Sequence, residues 1–555
     1  MSSRRPERIL VVGLDGAGFD VVGPLMADGH MPTLARLQRE GVSGPLTSMY
    51  PPVSAIAWPS FFTGVGPGKH GVFGFQTFDP EGYSQRLVSA ESVRAPAMWE
   101  ILGEHGKHTI AFDIPITYPP SPMRGAMVTG MLTPDDRAQW TYPAELKGEL
   151  VRAVGRRLPS PTRRMLRLAS PSGAVKMLRA FEEREVALFT HLLRTRPWDL
   201  AIIVFRTCDV IQHALLAEAA AGQQPPYELR GDAGRTIQAH YTCLDRLLGE
   251  LLAAMPSGTA TFVISDHGAV VVPRCFRVNG WMASEGYVAW SRWPRVRHAT
   301  SLWRRRTFGR QLKALRVPFL SAIFPAHWLG REVATPRWSQ LMRFCRGPDW
   351  QRTRAYACPV MREGIRINLK GRETNGIVEP GAEYEALRSE IIGKLAALTD
   401  PETGQRVVES ARRREEMYDG ELVHNAPDIV AVYPDGQYLP SSEPRMGSVF
   451  RSSRGLECAQ HGMEGILVGS GPGLAAARPT EGTITDLVPT ILYLLGTPVP
   501  EGLDGRILTD AIAPGLLDEV APESAPAAHA RRERHAETEA HPAVLRRLRD
   551  LGYID

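Results

Sequence analysis

Apolar residues in this chain gather into short unbroken runs, each closed by a polar residue or a glycine. Arg8–Leu14 (RILVVGL) stops at Asp15-Gly16. A run with no polar alternation suits a strand buried on both faces, so it predicts a parallel strand with a loop at its carboxyl end. Four further runs have the same form: His108–Asp113, Asp199–Phe205, Ala260–Ser265 and Gly465–Val468. Elsewhere the spacing is helical. Pro32–Glu40 places Leu34 and Leu37 on one face and stops at Gly41. Val175–Leu193 and Thr236–Ala254 are longer stretches of the same kind. This alternation predicts an α/β fold with a central, mostly parallel sheet flanked by helices. Ligands of such sheets bind beyond the carboxyl ends of the strands.

The pattern changes between about Cys275 and Ser453. Trp293–Arg316 is dense in Arg with interleaved Trp and Phe, Asn375–Tyr384 (NGIVEPGAEY) is turn-rich, and Tyr384–Leu398 reads as an amphipathic helix. The strand pattern returns at Gly465. Residues 275–453 are therefore expected to be an inserted cap, between the core segments 1–274 and 454–510. Residues 511–555 are expected to form a linker and a C-terminal helix. Pro514–Pro542 has the composition of a flexible linker, and AVLRRLRDLGYID that of a short amphipathic helix able to dock back.

Composition narrows the partners. A chain of 555 residues has room for a large core plus an insertion. Net charge is 65 − 60 = +5, too little over this length to predict a nucleic-acid polymer as partner. Nine cations fall between Arg292 and Arg316. The 292–320 stretch therefore fits a contact with an anionic membrane surface, a cap that attracts anionic substrates, or a solvated cap helix. Six cysteines with no CxxC spacing read as reduced thiols. The apolar run after MSSRRPER is too short for a signal segment, and no stretch approaches the ~18 apolar residues of a membrane span. A cytoplasmic protein is the expectation. Nothing in the pattern specifies an oligomeric state.

The candidate chemistry lies at the strand ends. Asp15 closes the first strand. The Asp199–Phe205 strand is followed by Asp209 and, four residues on, His213. Asp266-His267 follows Ala260–Ser265, and His461 precedes Gly465–Val468. Taken singly, Asp15 also reads as a turn, Asp209 as an N-cap, His213 as a helix histidine and His461 as a loop histidine, whereas Asp266-His267 is the stronger signal, because two polar side chains directly after an apolar strand need partners. Together they are three carboxylates and three imidazoles on one expected sheet edge. Zinc takes both ligand types, and six such groups suffice for two ions. A separate stretch, PPVSAIAWPSFFTGVGPGKHGVFGF from Pro51 to Phe75, holds Ser54 with no Asp or Glu nearby. Ser54 reads either as a buried helix-capping serine or as a nucleophile whose proton a metal removes.

These pieces, in this order, resemble the alkaline phosphatase superfamily, and within it the type I phosphodiesterase/nucleotide pyrophosphatase branch. The matching motifs are VVGLDG at 11–16, Ser54 ahead of Thr63-Gly64, PGKHG at 67–71, DVIQH at 209–213, SDHG at 265–268, His461, TDLVPTILYLLG at 485–496 and GLDGR at 502–506. The resemblance spans about residues 8–510 and implies an alkaline-phosphatase-like fold. It also implies two divalent metal ions. Asp15, Asp266 and His267 would hold one together with Ser54, and Asp209, His213 and His461 the other. Zinc suits these ligands; manganese and iron also accept them. Ser54 would then be the nucleophile, ionised by coordination, attacking a small-molecule phosphoester and forming a phosphoseryl intermediate. The same residues serve a phosphomonoesterase, a phosphotransferase or an inactive binding homologue.

Two departures bear on the substrate. Family nucleotide pyrophosphatases carry an Asn that contacts the phosphoryl oxygen; here that place, after HGVFG, is Phe75. The sulfatase pattern CxPxR is absent, since Ser54-Ala55-Ile56-Ala57-Trp58 lacks its Pro and Arg. Ser60, Thr63 and His70 are expected to be structural. Lys69 either approaches substrate phosphate or belongs to a loop folded around His70. Asp113, though at a strand end, matches no family ligand.

Overall fold

A computed structural model of the chain describes residues 4–79, 83–290, 348–442, 448–453, 458–527 and 542–550. At its centre is one mixed sheet. Its middle is a block of five parallel strands in the spatial order Thr259–Ile264, Arg8–Leu14, Leu200–Phe205, Thr109–Ile114 and Gly125–Thr129. The first strand pairs on both sides, Val12 lying between Ile203 and Val263. That position explains its unbroken apolar run. Leu10, Val12 and Leu14 face one core, with the helices Pro32–Glu40, Pro171–Thr195, Thr207–Ala219 and Gly231–Ala253. Ile9 and Val11 face a second core, with the helices Ser54–Thr63, Met98–Glu104 and Leu487–Leu494. The result is three layers, helix on sheet on helix.

One expected strand runs the other way. Glu464–Ser470 lies in the sheet but is antiparallel to both Thr259–Ile264 and Val42–Thr47. The reversal has a purpose in the geometry. The start of an antiparallel strand sits at the carboxyl edge of its parallel neighbours, so the segment before it is delivered there. That segment, Ala459–Gly462, pairs with Gly268–Val271 and sets His461 opposite Ala269.

Residues 274–452 carry two smaller sheets. Arg274–Arg277 pairs with Tyr438–Ser441 and Phe450–Ser452; Ala355–Ala357, Gly364–Ile367, Ile429–Val432 and Ser410–Arg413 form the other. They share an apolar core with the helix Ala382–Ala396. A patch of Cys358, Met361, Tyr418 and Val430 packs on Phe73 and Tyr50, which flank the Ser54 helix in sequence. The Arg-rich stretch 292–320 lies outside the described residues. Pro514–Pro542 is not uniformly a linker. Pro514–Glu519 is helical, Leu516 is buried, and Ser524-Ala525 pairs with Val499-Pro500, because this segment covers the 487–494 helix. Helix Pro542–Asp550 docks back through Val544 and Leu548. Among the described residues no helix is long and apolar enough to cross a membrane.

Candidate metal centre

The candidate side chains arrive from five segments far apart in sequence: Asp15, Ser54, Asp209 with His213, Asp266 with His267, and His461. Asp15 follows the first strand and is fully buried. Two positions earlier, a Cβ on Gly13 would lie 2.5 Å from the Trp58 ring. Glycine there lets the indole approach, and its Nε1–H donates to Asp15 Oδ2 at 3.1 Å. Gly16 takes φ +76°, its N–H donates to Asp266 Oδ1 at 3.1 Å, and its carbonyl accepts from Gln212 Nε2 at 2.8 Å. The Asp-Gly turn thus joins three of the expected segments.

Ser54 opens the Ser54–Thr63 helix after an extended Val53, and its side chain caps nothing. Its hydroxyl lies 3.2 Å from Asp15 Oδ1 and 3.2 Å from His267 Nε2. The helix-capping reading therefore fails. Asp209 and His213 share one face of the Thr207–Ala219 helix, with Oδ1 and Nε2 2.9 Å apart. His461 Nε2 stands 3.3 Å from Asp209 Oδ1 and 2.8 Å from His213 Nε2. His267 Nε2 is 3.6 Å from Asp15 Oδ1 and 3.4 Å from Asp266 Oδ2. The His267 and His461 rings stack, centroids 3.9 Å apart. Ligand atoms of Asp15, Asp266 and His267 converge within 4.8 Å, as do those of Asp209, His267 and His461. All six expected ligands and Ser54 lie in one constellation.

The imidazoles are oriented alike. Nδ1 of His213 faces the Ala459 carbonyl at 2.6 Å, that of His267 the Gly268 carbonyl at 2.9 Å, and that of His461 the Pro52 carbonyl at 2.7 Å. A carbonyl only accepts, so each Nδ1 carries the proton and each Nε2 turns a lone pair inward. Two such lone pairs, on His213 and His461, meet at 2.8 Å with no proton to share. Asp266 Oδ2 is buried and has no hydrogen-bond donor among the described residues. Acceptors crowded against acceptors fit a site built for cations.

The charge balance agrees. Burial, then Asp266 and Asp209, hold the Asp15 carboxyl well above its usual range. Burial pushes Asp266 up to about 8 and the His461 imidazole down to about 3, and it lowers His213 as well. For Asp209 burial is outweighed by His213 and His461 only while those rings carry charge, which holds it well below the ordinary carboxylate range; with both rings neutral a bound cation would take that role. Without a positive charge the carboxylates resist ionising together; divalent cations reverse that.

The remaining candidates are structural. Ser60 Oγ meets His70 Nε2 at 3.0 Å, Val72 N–H donates to His70 Nδ1, and Thr63 donates to the Pro59 carbonyl. The loop does fold around His70. Lys69 is paired to Asp504, which also accepts from Gly66 N–H, so the PGKHG and GLDGR motifs hold each other. Asp113 is bound by Arg206 at 2.8 Å and by Arg157 at 2.5 Å, and Arg157 also holds Glu185. Phe75 is 3% exposed in the apolar core. Sequence reasoning missed Trp58, Gln212 and Arg163. Trp58 follows Ser54 at helical spacing, which was the available signal. Arg163 is buried, and its charge disfavours protonation of His213; no motif announces it.

Comparison with known proteins bears on this arrangement. A family model described as type I phosphodiesterase / nucleotide pyrophosphatase matches residues 9–467. No curated relative matches the chain. Among solved structures, a mutant of alkaline phosphatase PafA aligns with TM-score 0.51 at 14% identity, over 92% of this chain and 99% of its own. Phosphonoacetate hydrolase from Sinorhizobium meliloti 1021 aligns with TM-score 0.49 at 16% identity, over 89% and 96%. Human ectonucleotide pyrophosphatase/phosphodiesterase 5 aligns with TM-score 0.49 at 13% identity, over 91% and 100%.

Proposed function

The chain belongs to the type I phosphodiesterase/nucleotide pyrophosphatase family, a group of phosphoester hydrolases, and from that premise we propose that it is a two-metal phosphodiesterase or pyrophosphatase with Ser54 as nucleophile. The observation that carries the reading is the convergence of three inward Nε2 lone pairs on three buried carboxylates beside one hydroxyl. Asp15, Asp266, His267 and Ser54 would hold one divalent ion, and Asp209, His213 and His461 the other. Bound there, such ions neutralise phosphoryl oxygens and lower the pKa of a hydroxyl or a water.

The chain's own groups do the rest. Trp58 and Gly16 fix the two carboxylates that flank Ser54. The carbonyls of Ala459, Gly268 and Pro52 fix the ring tautomers. Ser54 is the first residue of its helix, so its N–H and that of Ala55 stay outside the helical ladder, where an anion is favoured. Ser54 Oγ bonds to phosphorus as the bond to the leaving oxygen breaks. Water then releases the phosphate from the serine. No carboxylate base is required, which accounts for the composition of the Ser54 stretch.

Phe75 gives no polar contact to a phosphoryl oxygen, and this leaves nucleotides without special support. A phosphomonoesterase or transferase would use the same residues. Turnover of bis-p-nitrophenyl phosphate against p-nitrophenyl phosphate by metal-replete protein tests the reading. A preference for the diester supports it, a preference for the monoester replaces it, and turnover of neither overturns the hydrolase assignment. The division into a core of 1–274 and 454–510, a cap of 275–453 and a C-terminal appendage is proposed with it.

A further inference from the structure

The stretch between Glu149 and Glu182 contains no Asp or Glu but carries eight cations. Two of these turn inward: Arg157 to Asp113 and Glu185, and Arg163, which is buried. The other six, Arg152, Arg156, Arg164, Arg167, Lys176 and Arg179, are exposed. Arg156 and Arg179 have acidic neighbours in Asp136 and Glu183. Among the described residues the exposed large apolar side chains are Leu158, Met165 and Leu168, at 36%, 40% and 78%. All three fall inside this acid-free stretch. Water gains nothing from exposed leucine and methionine, and a cluster of them is uncommon on a free surface.

The patch includes a helix that packs on one of the elements of the proposed metal centre. The Arg163–Leu168 helix carries Arg164, Met165, Arg167 and Leu168 outward, while Leu166 enters the core that Val210 and Ile211 also join. It packs on the Thr207–Ala219 helix, which carries Asp209 and His213. Packed helices lie about 8–10 Å apart.

We propose that residues 152–179 are a docking surface for an anionic lipid bilayer, and that the enzyme takes phosphodiesters held in that bilayer. The substrate half of this inference rests on the hydrolase reading; the docking half does not. Basic side chains around protruding apolar ones complement a bilayer, which offers lipid phosphate outside and hydrocarbon beneath. Nucleic acid would complement the charge but not the three apolar side chains. A second copy of the chain would bring the same positive charge to this patch, and the Arg-rich 292–316 stretch is positive as well.

The test is co-sedimentation of the full chain with vesicles of phosphatidylcholine alone or with about 30% phosphatidylglycerol, at low salt and at 0.5 M NaCl. The expected result is binding to the anionic vesicles only, weakened by salt. Arg164→Glu with Arg167→Glu should weaken binding at least about tenfold. Met165→Ser with Leu168→Ser should weaken it about fivefold or more and leave the salt dependence in place. Both double variants should hydrolyse soluble bis-p-nitrophenyl phosphate as the parent does, and lose turnover of a vesicle-borne lipid diester in parallel with binding. Equal binding to neutral vesicles, or unchanged binding of both variants, would overturn the proposal. So would binding of a DNA duplex as tight as that of anionic vesicles with no effect of the Ser variant. A parent that binds vesicles but hydrolyses no ester would refute the hydrolase reading and leave the docking surface standing.

Discussion

Nε2 of His213 and Nε2 of His461 stand 2.8 Å apart while both Nδ1 atoms are held by backbone carbonyls. Two acceptors at hydrogen-bond distance repel unless a cation lies between or beside them. Replacing either histidine by alanine should lower bound divalent metal from two equivalents toward one. Elemental analysis of metal-replete protein checks this, and unchanged stoichiometry in His461→Ala would remove that residue from the site.

Ser54→Ala should cost at least roughly 10³-fold in kcat and leave metal content nearly unchanged, because three other proposed ligands would remain for that ion. Steady-state kinetics and metal analysis on one preparation make the comparison. Wild-type turnover in the variant would disprove the nucleophile assignment.

Trp58→Phe keeps an aromatic side chain but loses the smaller ring of the indole, and with it the N–H that meets Asp15 Oδ2. Loss of such an orienting partner typically weakens metal binding about 10- to 100-fold. Competition against a chelator measures it, with thermal denaturation as the control for packing.

The metal-free protein should lose stability as pH rises from about 7 to about 8.5. Asp266 and Glu182 are both raised by burial to about 8, so folded protein holds protons that the unfolded chain has released above about 4. The buried histidines, lowered in the fold, oppose this only below about 6.5, where the unfolded chain takes up protons. Thermal unfolding after chelation should therefore show Tm falling across that window, and Asp266→Asn should flatten the slope. Adding zinc or manganese should raise Tm throughout. A metal-free Tm that climbs from pH 7 to 8.5 would contradict the assignment.

Phe75→Asn should not create a nucleotide-preferring enzyme. Phe75 fills the apolar core, and emptying such a position costs about 3–5 kcal/mol. Lower thermal stability with an unchanged substrate ratio is the expected pair of observations.

The strands were legible because burial on both faces leaves a continuous apolar signature. Arg8–Leu14 matches the structure residue for residue, and the other parallel runs agree to within one residue at each end. Direction was not legible. Gly465–Val468 looks like its parallel counterparts, since letters record burial and not polarity of the chain. Pro514–Glu519 was hidden by a composition rich in Ala, Glu and Pro, although Leu516 sits in the core. At the candidate centre, the side chains that face one another were visible as strand-end Asp and His residues. Their support was not, because the carbonyls of Pro52, Gly268 and Ala459 belong to the backbone. The acid-free stretch around Arg164 can be read from the letters, but the exposure of Leu168 cannot.

The reversed strand at Glu464–Ser470 also orders events during synthesis. A ribosome that has released the chain only as far as residue 453 has produced the five central parallel strands, Ser54 and five of the six proposed ligands, but neither His461 nor the strand that seats it. His213 then has no imidazole opposite it, and the Pro52 carbonyl has no ring to hold. On the proposed reading, the nascent polypeptide therefore lacks one of the three ligands of its second cation until translation is largely over.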